Sequence, residues 1–328
     1  MKEYSVAVII PTLNEERFIK QCLESVVAQT FPFSEMDVMV IDGGSQDRTR
    51  EIVSEMQSRY FNIRFIHNSK RIQSAAFNIG VKESDALYII RLDAHAIYNS
   101  RYIELCVKHL SEHDDYGNVG GTWNIQSQNS SIQAEANAIL NKLSFGIGGA
   151  SFRVGTKAGF VDTVPFGAFH RRIIEEIGEM REDLARGEDN EYNARIRRYG
   201  YKIYLDPNIV CTYFARGTIK GSMQQMYANG VSIGKLLHIS PRSIGFRHLV
   251  PLCFVVSLVG MSILSIFFPI LKWIVVAILV FYLFAAIGAT FFACRKYGYK
   301  YFLILPISFF CIHCSYGLGT ISGIIKNK

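Results

Sequence analysis

Apolar and polar positions follow two different periods between residue 5 and about residue 93. Four continuous apolar runs of strand length are separated by three stretches whose apolar residues recur at helical spacing. The expected strands are 6–10, 38–41, 63–66 and 86–92, and the expected helices are 15–28, 47–59 and 73–81. Strands and helices that alternate in this order predict an α/β fold with a parallel sheet and right-handed crossovers. Pro11 is expected to stop the first strand.

The pattern is less regular between residues 100 and 240. Apolar spacing predicts a short strand at 203–205 and helices at 102–112, 131–144, 173–177, 191–199 and 223–237. Glycines are frequent among polar and aromatic residues between 146 and 167. This composition is typical of a mobile loop over a cleft.

The composition changes sharply after His248. Three long segments contain no Asp, Glu, Lys or Arg: 249–271, 273–294 and 301–325. Each exceeds the roughly 20 apolar residues that a helix needs to cross a bilayer. A buried helical core is the alternative, but it would need three long uninterrupted helices in one small domain. The sequence therefore predicts a large domain at 1–240 and a membrane domain with three transmembrane helices at 241–328.

Basic residues flank the apolar segments unequally. Lys235, Arg242 and Arg247 come before the first segment, and three positive charges lie at 295–300 between the second and third. Because cytoplasmic loops of membrane proteins carry an excess of Lys and Arg, both stretches are expected in the cytoplasm. The prediction is a multi-pass protein of the cell membrane whose large domain faces the cytoplasm.

Composition agrees with contact to a bilayer. The formal net charge is +7, and hydrophobic residues make up 49% of the chain against 19% charged residues. Such a balance fits an anionic lipid surface or an anionic substrate. No block of Lys and Arg interleaved with aromatic residues predicts a nucleic-acid groove. The seven cysteines are scattered, which argues against a disulfide framework and for a reducing compartment.

Polar residues follow every apolar run of the first part of the chain. The candidate site residues in these loops are Pro11, Thr12, Asn14 and Glu15 after the first run, Asp42 and Gly43 after the second, Arg71 after the third, and Asp93 and His95 after the fourth. The carboxyl ends of parallel strands meet at one crevice of an α/β sheet, so these loops are expected to converge there. Each loop alone has a plainer explanation, such as a helix N-cap or a turn.

The pair Asp93 and His95 has the chemistry of a metal site. In a strand, positions i and i+2 face the same way, so a carboxylate and an imidazole would be presented together. A Mn²⁺ or Mg²⁺ ion held there would clamp a diphosphate, and Arg71 would add positive charge. Glu15 and Asp42 would accept hydrogen bonds from a base edge or ribose hydroxyls. The alternative is that Asp93 caps a following helix.

Two common nucleotide-binding motifs are absent from the sequence. No G-x-G-x-x-G follows the first apolar run, and no G-x-x-x-x-G-K-[ST] occurs in the chain. A dinucleotide-dependent dehydrogenase and a P-loop NTPase are therefore disfavoured.

Four short motifs together resemble those of one enzyme family. They are V-A-V-I-I-P-T-L-N-E-E, V-I-D-G-G-S-Q-D-R-T, R-L-D-A-H-A and G-E-D. The chain resembles the family 2 glycosyltransferases of the GT-A fold, and within them the succinoglycan-type exopolysaccharide glucosyltransferases with a membrane-bound C-terminus. The resemblance covers about residues 5–240 and the hydrophobic tail. It is specific to the fold and mechanism, and not to the sugar.

The resemblance implies roles for individual residues. Pro11, Asn14, Glu15 and Asp42 would hold the uridine of a UDP-sugar, and Asp93 would bind the metal and the diphosphate. Many relatives carry D-x-D, whereas the third position here is His95. Imidazole also suits Mn²⁺, so His95 is kept as a ligand.

The family pattern also assigns the catalytic base to Asp189 of the G-E-D motif. Without the resemblance, Glu188 and Asp189 would simply be acids at a helix N-terminus, worth up to about 1 kcal/mol through the helix dipole. Asp162, Gly167 and Glu188 are expected on the acceptor side of the site. Processive relatives carry Q-x-x-R-W, but Arg-Trp does not follow Gln224 and Gln225, which argues against a chain-extruding synthase.

These expectations combine into one hypothesis. The chain would be a metal-dependent, inverting hexosyltransferase that moves a hexose from a UDP-sugar to a polyprenyl-diphosphate-linked saccharide, in exopolysaccharide or capsule biosynthesis. Three alternatives remain open. They are a transferase that uses polyprenyl phosphate itself as acceptor, a non-enzymatic membrane scaffold, and a sugar-nucleotide pyrophosphorylase, which should carry a Gly-rich basic loop after the first strand.

Overall fold

The computed structural model describes residues 4–154, 157–184 and 186–326. Contacts between residues divide the chain into two compact units. The first unit comprises residues 1–124 and 155–213, and the second comprises 125–154 and 214–328. The boundary at residue 240 was placed by composition and stays a prediction about where the catalytic region ends.

Nine strands and thirteen α-helices make up the described part of the chain. The strands are β1 (Val6–Thr12), β2 (Met36–Asp42), β3 (Ile63–His67), β4 (Tyr88–Arg91), β5 (Ala96–Tyr98), β6 (Tyr116–Ser127), β7 (Gly159–Phe160), β8 (Ala168–His170) and β9 (Lys202–Ala215). The helices are α1 (Ile19–Val27), α2 (Thr49–Gln57), α3 (Gln73–Lys82), α4 (Tyr102–Glu112), α5 (Ile132–Asn141), α6 (Ser144–Ile147), α7 (Ser151–Val154), α8 (Arg171–Ile177), α9 (Glu188–Arg198), α10 (Ile219–Ile239), α11 (Val250–Leu264), α12 (Leu271–Tyr297) and α13 (Ile304–Ile325).

The sheet has the strand order β3-β2-β1-β4-β8-β6-β9-β5, with β7 beside β9. The pairs β2–β3, β1–β2 and β1–β4 are parallel, which confirms the α/β prediction for the first part of the chain. Beyond β4, outside the part of the chain for which a parallel sheet was predicted, the strands pair antiparallel. Strand β8 pairs antiparallel with β4 and β6, and β5 and β7 pair antiparallel with β9. The result is a mixed sheet, parallel from β3 to β4 and antiparallel in the pairs given beyond β4.

The centre of this sheet is fully buried. Every residue of β1 and β2 is buried, as expected for parallel strands covered on both faces. The prediction that Pro11 stops the first strand is wrong, because β1 continues to Thr12 and Pro11 pairs with Ile41. Helix α3 packs closely on β1, since a Cβ on Gly80 would lie 2.6 Å from side-chain atoms of Ile9.

Three helices of the second unit are long and apolar enough to cross a membrane: Phe246–Leu264, Leu271–Tyr297 and Ile304–Ile325. The first ends at Leu264, not near residue 271 as expected. Pro269 lacks the N–H that would continue the helical ladder, and the chain turns between Ser265 and Ile270 before α12 begins. The second and third helices are close to the predicted spans.

Helix α10 packs against α13 through glycines on both helices. A Cβ on Gly230 would lie 2.1 Å from the carbonyl oxygen of Tyr316, and one on Gly234 would lie 2.3 Å from that of Thr320. On the other helix, Cβ atoms on Gly319 and Gly323 would lie 2.2 and 2.1 Å from carbonyl oxygens of α10. Small residues at such positions let two helix backbones touch directly.

Candidate active site

The loop after β2 is folded around the carboxylate of Asp42. Its Oδ2 accepts hydrogen bonds from the backbone N–H groups of Gly44 and Ser45, at 2.8 and 2.9 Å, and the Ser45 hydroxyl donates to Oδ1. Asp42 is buried. A carboxylate with this many local donors fixes the loop, and its predicted contact with a nucleotide stays a prediction.

The loop after β1 is joined to the loop after β2 by reciprocal hydrogen bonds. Asn14 accepts from the Gln46 N–H and donates its own N–H to the Ser45 hydroxyl, both at 2.8 Å. Its φ of 56° is left-handed, a conformation that Asn tolerates better than most residues. The Glu15 N–H donates to the Thr49 hydroxyl at 2.8 Å. The two predicted donor-binding loops are therefore one rigid assembly.

Thr12, Gly43 and Arg71 lie together at the tips of three adjacent strands. The Gly43 N–H donates to the Thr12 carbonyl at 2.8 Å, and a Cβ on Gly43 would lie 3.4 Å from Cα of Arg71. The Arg71 guanidinium lies beside Gly44, and its side chain is exposed. The Thr12 hydroxyl donates to the carbonyl of Ile10. The exposed guanidinium is available for an anionic group, whereas the Thr12 hydroxyl is already used by its own strand.

Asp93 lies in a turn and not in a strand. Strand β4 ends at Arg91, and the Ala96 N–H donates to the Asp93 carbonyl at 3.3 Å. The argument that Asp93 and His95 share one face of a strand is therefore wrong. The Tyr98 hydroxyl accepts from the Asp93 N–H at 2.7 Å and donates to its carbonyl at 3.1 Å. Cys22 also donates to this carbonyl, and burial raises the pKa of its thiol, which keeps the proton in place.

His95 pairs with Glu15 across the crevice. Its Nδ1 lies 3.1 Å from Oε1 of Glu15, and both side chains are half-buried. The imidazole also lies beside the ring of Tyr213, with ring centroids 6.2 Å apart. When Nδ1 carries the proton and donates to Glu15, Nε2 is the basic nitrogen of the ring. Carboxylates that accept from a histidine in this way orient it as a metal ligand.

Arg91 connects the turn of Asp93 to the first turn of α9. Its Nη2 donates to Oδ1 of Asp93 at 3.0 Å, and its Nη1 lies 3.6 Å from Oε1 of Glu188. Gln73 accepts a further hydrogen bond from Nη2 at 2.9 Å. The arginine is only 5% exposed, so its charge is largely hidden from water. This buried arginine joins the predicted metal residue to the predicted acceptor side.

Two adjacent acids begin α9. Gly187 precedes them with a φ of 79°, a left-handed conformation that suits glycine. Burial, and then the negative charge of Asp189, raise the pKa of Glu188 to about 7. Asp189 is half-buried and accepts the N–H of Asn190 at 2.8 Å. The two neighbouring acids therefore lie in different environments: Glu188 is buried, and Asp189 is the less buried carboxylate.

The predicted acceptor segment lies against the same residues. The Gly167 carbonyl accepts the Arg91 N–H at 3.0 Å, and a Cβ on Gly167 would lie 2.7 Å from the ring of Phe169. Phe166 has a φ of 64°, which is strained for a bulky residue. Asp162 is half-buried, and the neighbouring Thr163 accepts a hydrogen bond from Asn193 of α9 at 3.0 Å.

These contacts join many of the predicted residues of the first unit. Asp42, Gly43, Thr12, Asn14 and Arg71 meet at the tips of β1 to β3, and Glu15 reaches His95. Four further contributors were missed by sequence reasoning: Arg91, Gln73, Tyr98 and Cys22. Of these, only Arg91 carried a signal, as a charged residue inside an otherwise apolar strand.

The side chains of Asp93 and His95 fit a divalent cation that is bound partly by the protein and partly by a substrate. Among the residues that the structure describes, no cluster of three or more His, Cys, Asp or Glu side chains could hold a metal by itself. Mg²⁺ is commonly bound by one or two carboxylates together with substrate phosphates. Asp93 would supply one such carboxylate, and His95, oriented by Glu15, would add an imidazole nitrogen.

Comparison with known proteins gives consistent results. The family model described as "Glycosyl transferase family 2" matches residues 7–178. The chain is 30% identical over 98% of both lengths to the dolichyl N-acetyl-alpha-D-glucosaminyl phosphate 3-beta-D-2,3-diacetamido-2,3-dideoxy-beta-D-glucuronosyltransferase of Methanococcus voltae. It is 29% identical to the succinoglycan biosynthesis protein ExoA of Rhizobium meliloti, over 76% of this chain and 74% of that protein.

The solved structures include one that matches the fold along the whole chain. It is the mannosyltransferase PcManGT from Pyrobaculum calidifontis, in complex with GDP-Man and Mn²⁺. The TM-score is 0.62 at 17% identity, and the match covers 100% of this chain and 89% of that one. The family model covers the first three of the four motifs, and the Methanococcus voltae relative matches nearly the whole chain. The chain therefore belongs to glycosyl transferase family 2, with a GT-A-like fold followed by three apolar helices.

Proposed function

We propose that this glycosyltransferase moves a hexose from a UDP-sugar to a sugar already linked to a polyprenyl carrier, with inversion at the anomeric carbon. One observation carries the proposal: Arg91 links Asp93, at the predicted diphosphate site, to Glu188 beside the predicted base. In this proposal the donor-side and acceptor-side groups share one site of the first unit.

Asp189 acts as the general base in this proposal. Its carboxylate takes the proton from an acceptor hydroxyl as that oxygen attacks the anomeric carbon from the face opposite the diphosphate. The bond from the anomeric carbon to the diphosphate oxygen breaks, and the nucleoside diphosphate leaves. Glu188 lies next to this base in the sequence, with its carboxyl 3.6 Å from Arg91 and its pKa raised by burial to about 7.

The donor is held by the loops that follow β1 to β4. Glu15 and Asp42 would bind the base or ribose, and the exposed guanidinium of Arg71 would neutralise the diphosphate. Asp93 and His95 would hold Mn²⁺ or Mg²⁺. A cation bound there would stabilise the charge that develops on the leaving diphosphate.

The acceptor class is supported by the full-length relative. The name of the Methanococcus voltae protein describes transfer to a sugar on dolichyl phosphate, not to the lipid phosphate itself. The three apolar helices of this chain would hold the enzyme in the bilayer that contains such a carrier. Restriction of enzyme and acceptor to one membrane raises their effective concentration. In this proposal the enzyme works at the cytoplasmic face of the cell membrane, in the assembly of exopolysaccharide, capsule or another surface glycan.

The test is release of nucleoside diphosphate by the purified full-length chain in detergent. A panel of UDP-sugars is compared with GDP-mannose, each with and without Mn²⁺, and each with a polyprenyl-linked sugar or with polyprenyl phosphate alone. We expect release that needs a UDP-sugar, Mn²⁺ and the lipid-linked sugar. Equal turnover of GDP-mannose contradicts the donor assignment, and turnover with polyprenyl phosphate alone contradicts the acceptor assignment. Donor hydrolysis without any acceptor serves as the background.

A further inference from the structure

The positive charge of the chain is concentrated in the second unit. Residues 125–154 and 214–328 contain thirteen Lys and Arg but a single acidic residue, Glu135. The rest of the chain contains 22 basic and 27 acidic residues, so its formal charge is negative. The net charge of +7 for the whole chain therefore conceals a strongly cationic unit that also carries the three apolar helices.

The only acid of this unit is already engaged. Oε2 of Glu135 accepts hydrogen bonds from Lys300 at 2.7 Å and from the Tyr301 hydroxyl at 2.8 Å. The cations of the second unit thus outnumber the carboxylates available within it.

Two of these cations converge on one aromatic ring. The Nζ atom of Lys142 lies 5.7 Å from the ring centroid of Tyr297, and that of Lys296 lies 5.3 Å from the same centroid. Neither ammonium group forms an ion pair with a carboxylate in the described part of the chain. Burial lowers the pKa of Lys142, and the positive charge of Lys296 lowers it further. Two like charges are held close together, and an anion between them would relieve their repulsion.

The position of Lys142 is fixed by α5. This helix packs through Ile139 and Leu140 into the same buried cluster as Cys294 of α12. Glu135 ties its other end to the turn that follows α12. Lys142 therefore approaches the end of α12 from a separate element, at the end where the chain leaves the second apolar helix. Lysine and tyrosine at the end of such a helix are typical of the bilayer interface, where lipid headgroups lie.

We propose that Lys142 and Lys296, both close to the Tyr297 ring, bind the phosphate of an anionic phospholipid. The chemistry fits because each ammonium group donates up to three hydrogen bonds, and a phosphodiester offers only acceptors. The tyrosine ring keeps the two cations near the headgroup level. The site is independent of the glycosyl transfer proposed above, because all of its residues lie in the second unit.

The experiment uses the full-length chain in nanodiscs made of equal parts phosphatidylcholine and phosphatidylglycerol. Native mass spectrometry after release from the nanodiscs counts the phospholipids that stay bound. We expect the wild-type chain to retain phosphatidylglycerol over phosphatidylcholine, and the double variant Lys142→Gln, Lys296→Gln to reduce this preference by about 30-fold, from the contribution of two basic residues at an anionic surface. The double variant to Arg should retain it.

Lys272→Gln is the matched control, because it removes one charge from the opposite end of α12. Its preference should stay within about two-fold of wild type, since charges separated by more than a Debye length are screened. Unchanged retention of phosphatidylglycerol by the double Gln variant overturns the proposal. Displacement of phosphatidylglycerol by inorganic phosphate, or by a trace of polyprenyl phosphate, assigns the site to another source and overturns it equally. Circular dichroism of each variant excludes loss of helix as the cause.

Discussion

The two units of the chain handle charge in opposite ways. In the first unit, acids and bases are present in similar numbers, and buried charges such as Arg91 are matched by nearby carboxylates. In the second unit, Glu135 is the single acid, and cations such as Lys142 lie next to other cations. Matched charges build a site whose geometry is set before a ligand arrives. Unmatched charges indicate a ligand that must supply the opposite sign itself.

The largest expected effect, on the rate of sugar transfer, is that of replacing Asp189 in the first unit. Replacement by Asn removes the proposed base but keeps the size of the side chain and its place in the first turn of α9. We expect the transfer rate to fall by about 10²–10⁴-fold, the usual range for general-base assistance. Single-turnover transfer to the lipid-linked acceptor measures it.

Asp183→Asn is the control for that variant. Asp183 is an exposed acid of the first unit that forms an ion pair with Arg181. Its replacement should leave the transfer rate within about two-fold, because exposed ion pairs contribute little. Equal rates for Asp189→Asn and the wild-type chain would remove Asp189 from the mechanism.

The next largest effect concerns the matched charges themselves. Arg91→Met leaves the carboxylates of Asp93 and Glu188 without their buried partner. We expect the first unit to lose about 3–5 kcal/mol of unfolding free energy, the usual result of breaking a buried ion pair on one side. Urea unfolding in detergent can be followed by the fluorescence of Trp123 in a Trp273→Phe background, since these are the two tryptophans of the chain.

An exposed ion pair provides the contrast for Arg91. Arg48 pairs with Glu51 at 2.8 Å, and both side chains are more than half exposed. Arg48→Met should change the unfolding free energy by no more than about 1 kcal/mol. If both arginine variants had the same stability as the wild-type chain, the buried network would not be what holds the strand tips together.

The second unit can be tested through its glycines. Gly230→Ala places a Cβ 2.1 Å from the Tyr316 carbonyl oxygen, so α10 and α13 must separate. We expect a loss of about 1–3 kcal/mol, as for overpacking of a well-packed interior. Gly260→Ala in α11 is the control, because nothing lies within 4 Å of its Cβ position and alanine favours a helix. Thermal unfolding in detergent should therefore separate the two variants in opposite directions.

The smallest effect is expected for the residue that orients His95. In Glu15→Gln the amide oxygen still accepts the Nδ1 proton, but the negative charge is lost. We expect Mn²⁺ affinity in the presence of UDP to fall by about ten-fold, the lower end of the range for such supporting residues. Electron paramagnetic resonance titration measures this without turnover. Glu16→Gln, an exposed neighbour, should bind Mn²⁺ like the wild-type chain, and identical affinity in both variants would exclude the Glu15–His95 pair from metal binding.

Sequence reasoning reached the first half of the sheet because β1 and β2 are continuous apolar runs. It missed β6, which contains Gly117, Gly120 and Gly121, residues that weaken a strand prediction. In the structure those glycines are needed: a Cβ on Gly121 would lie 1.7 Å from the carbonyl oxygen of Ile209 in β9. Close approach to a distant strand leaves no periodic signal in the sequence.

The same limit applies to the candidate site. The strand-tip residues were predictable because loops after parallel strands must converge. The link from Arg91 to Glu188 was not, since 96 intervening residues separate the two in the sequence and only the fold joins them. The turn at Asp93 was not predicted either. The Tyr98 hydroxyl accepts a hydrogen bond from the Asp93 N–H, but in the sequence Tyr98 cannot be distinguished from an ordinary buried aromatic residue.

The packing of α5 against α13 has a consequence for how this protein folds during translation. Helix α5 contributes Ile139 and Leu140 to a cluster that is completed by Leu305 and Phe309 of α13. These partners leave the ribosome more than a hundred and sixty residues apart. Translation at about 5–20 residues per second therefore leaves α5 without its partners for many seconds. During that interval its apolar face depends on chaperones or on the membrane insertion machinery for cover.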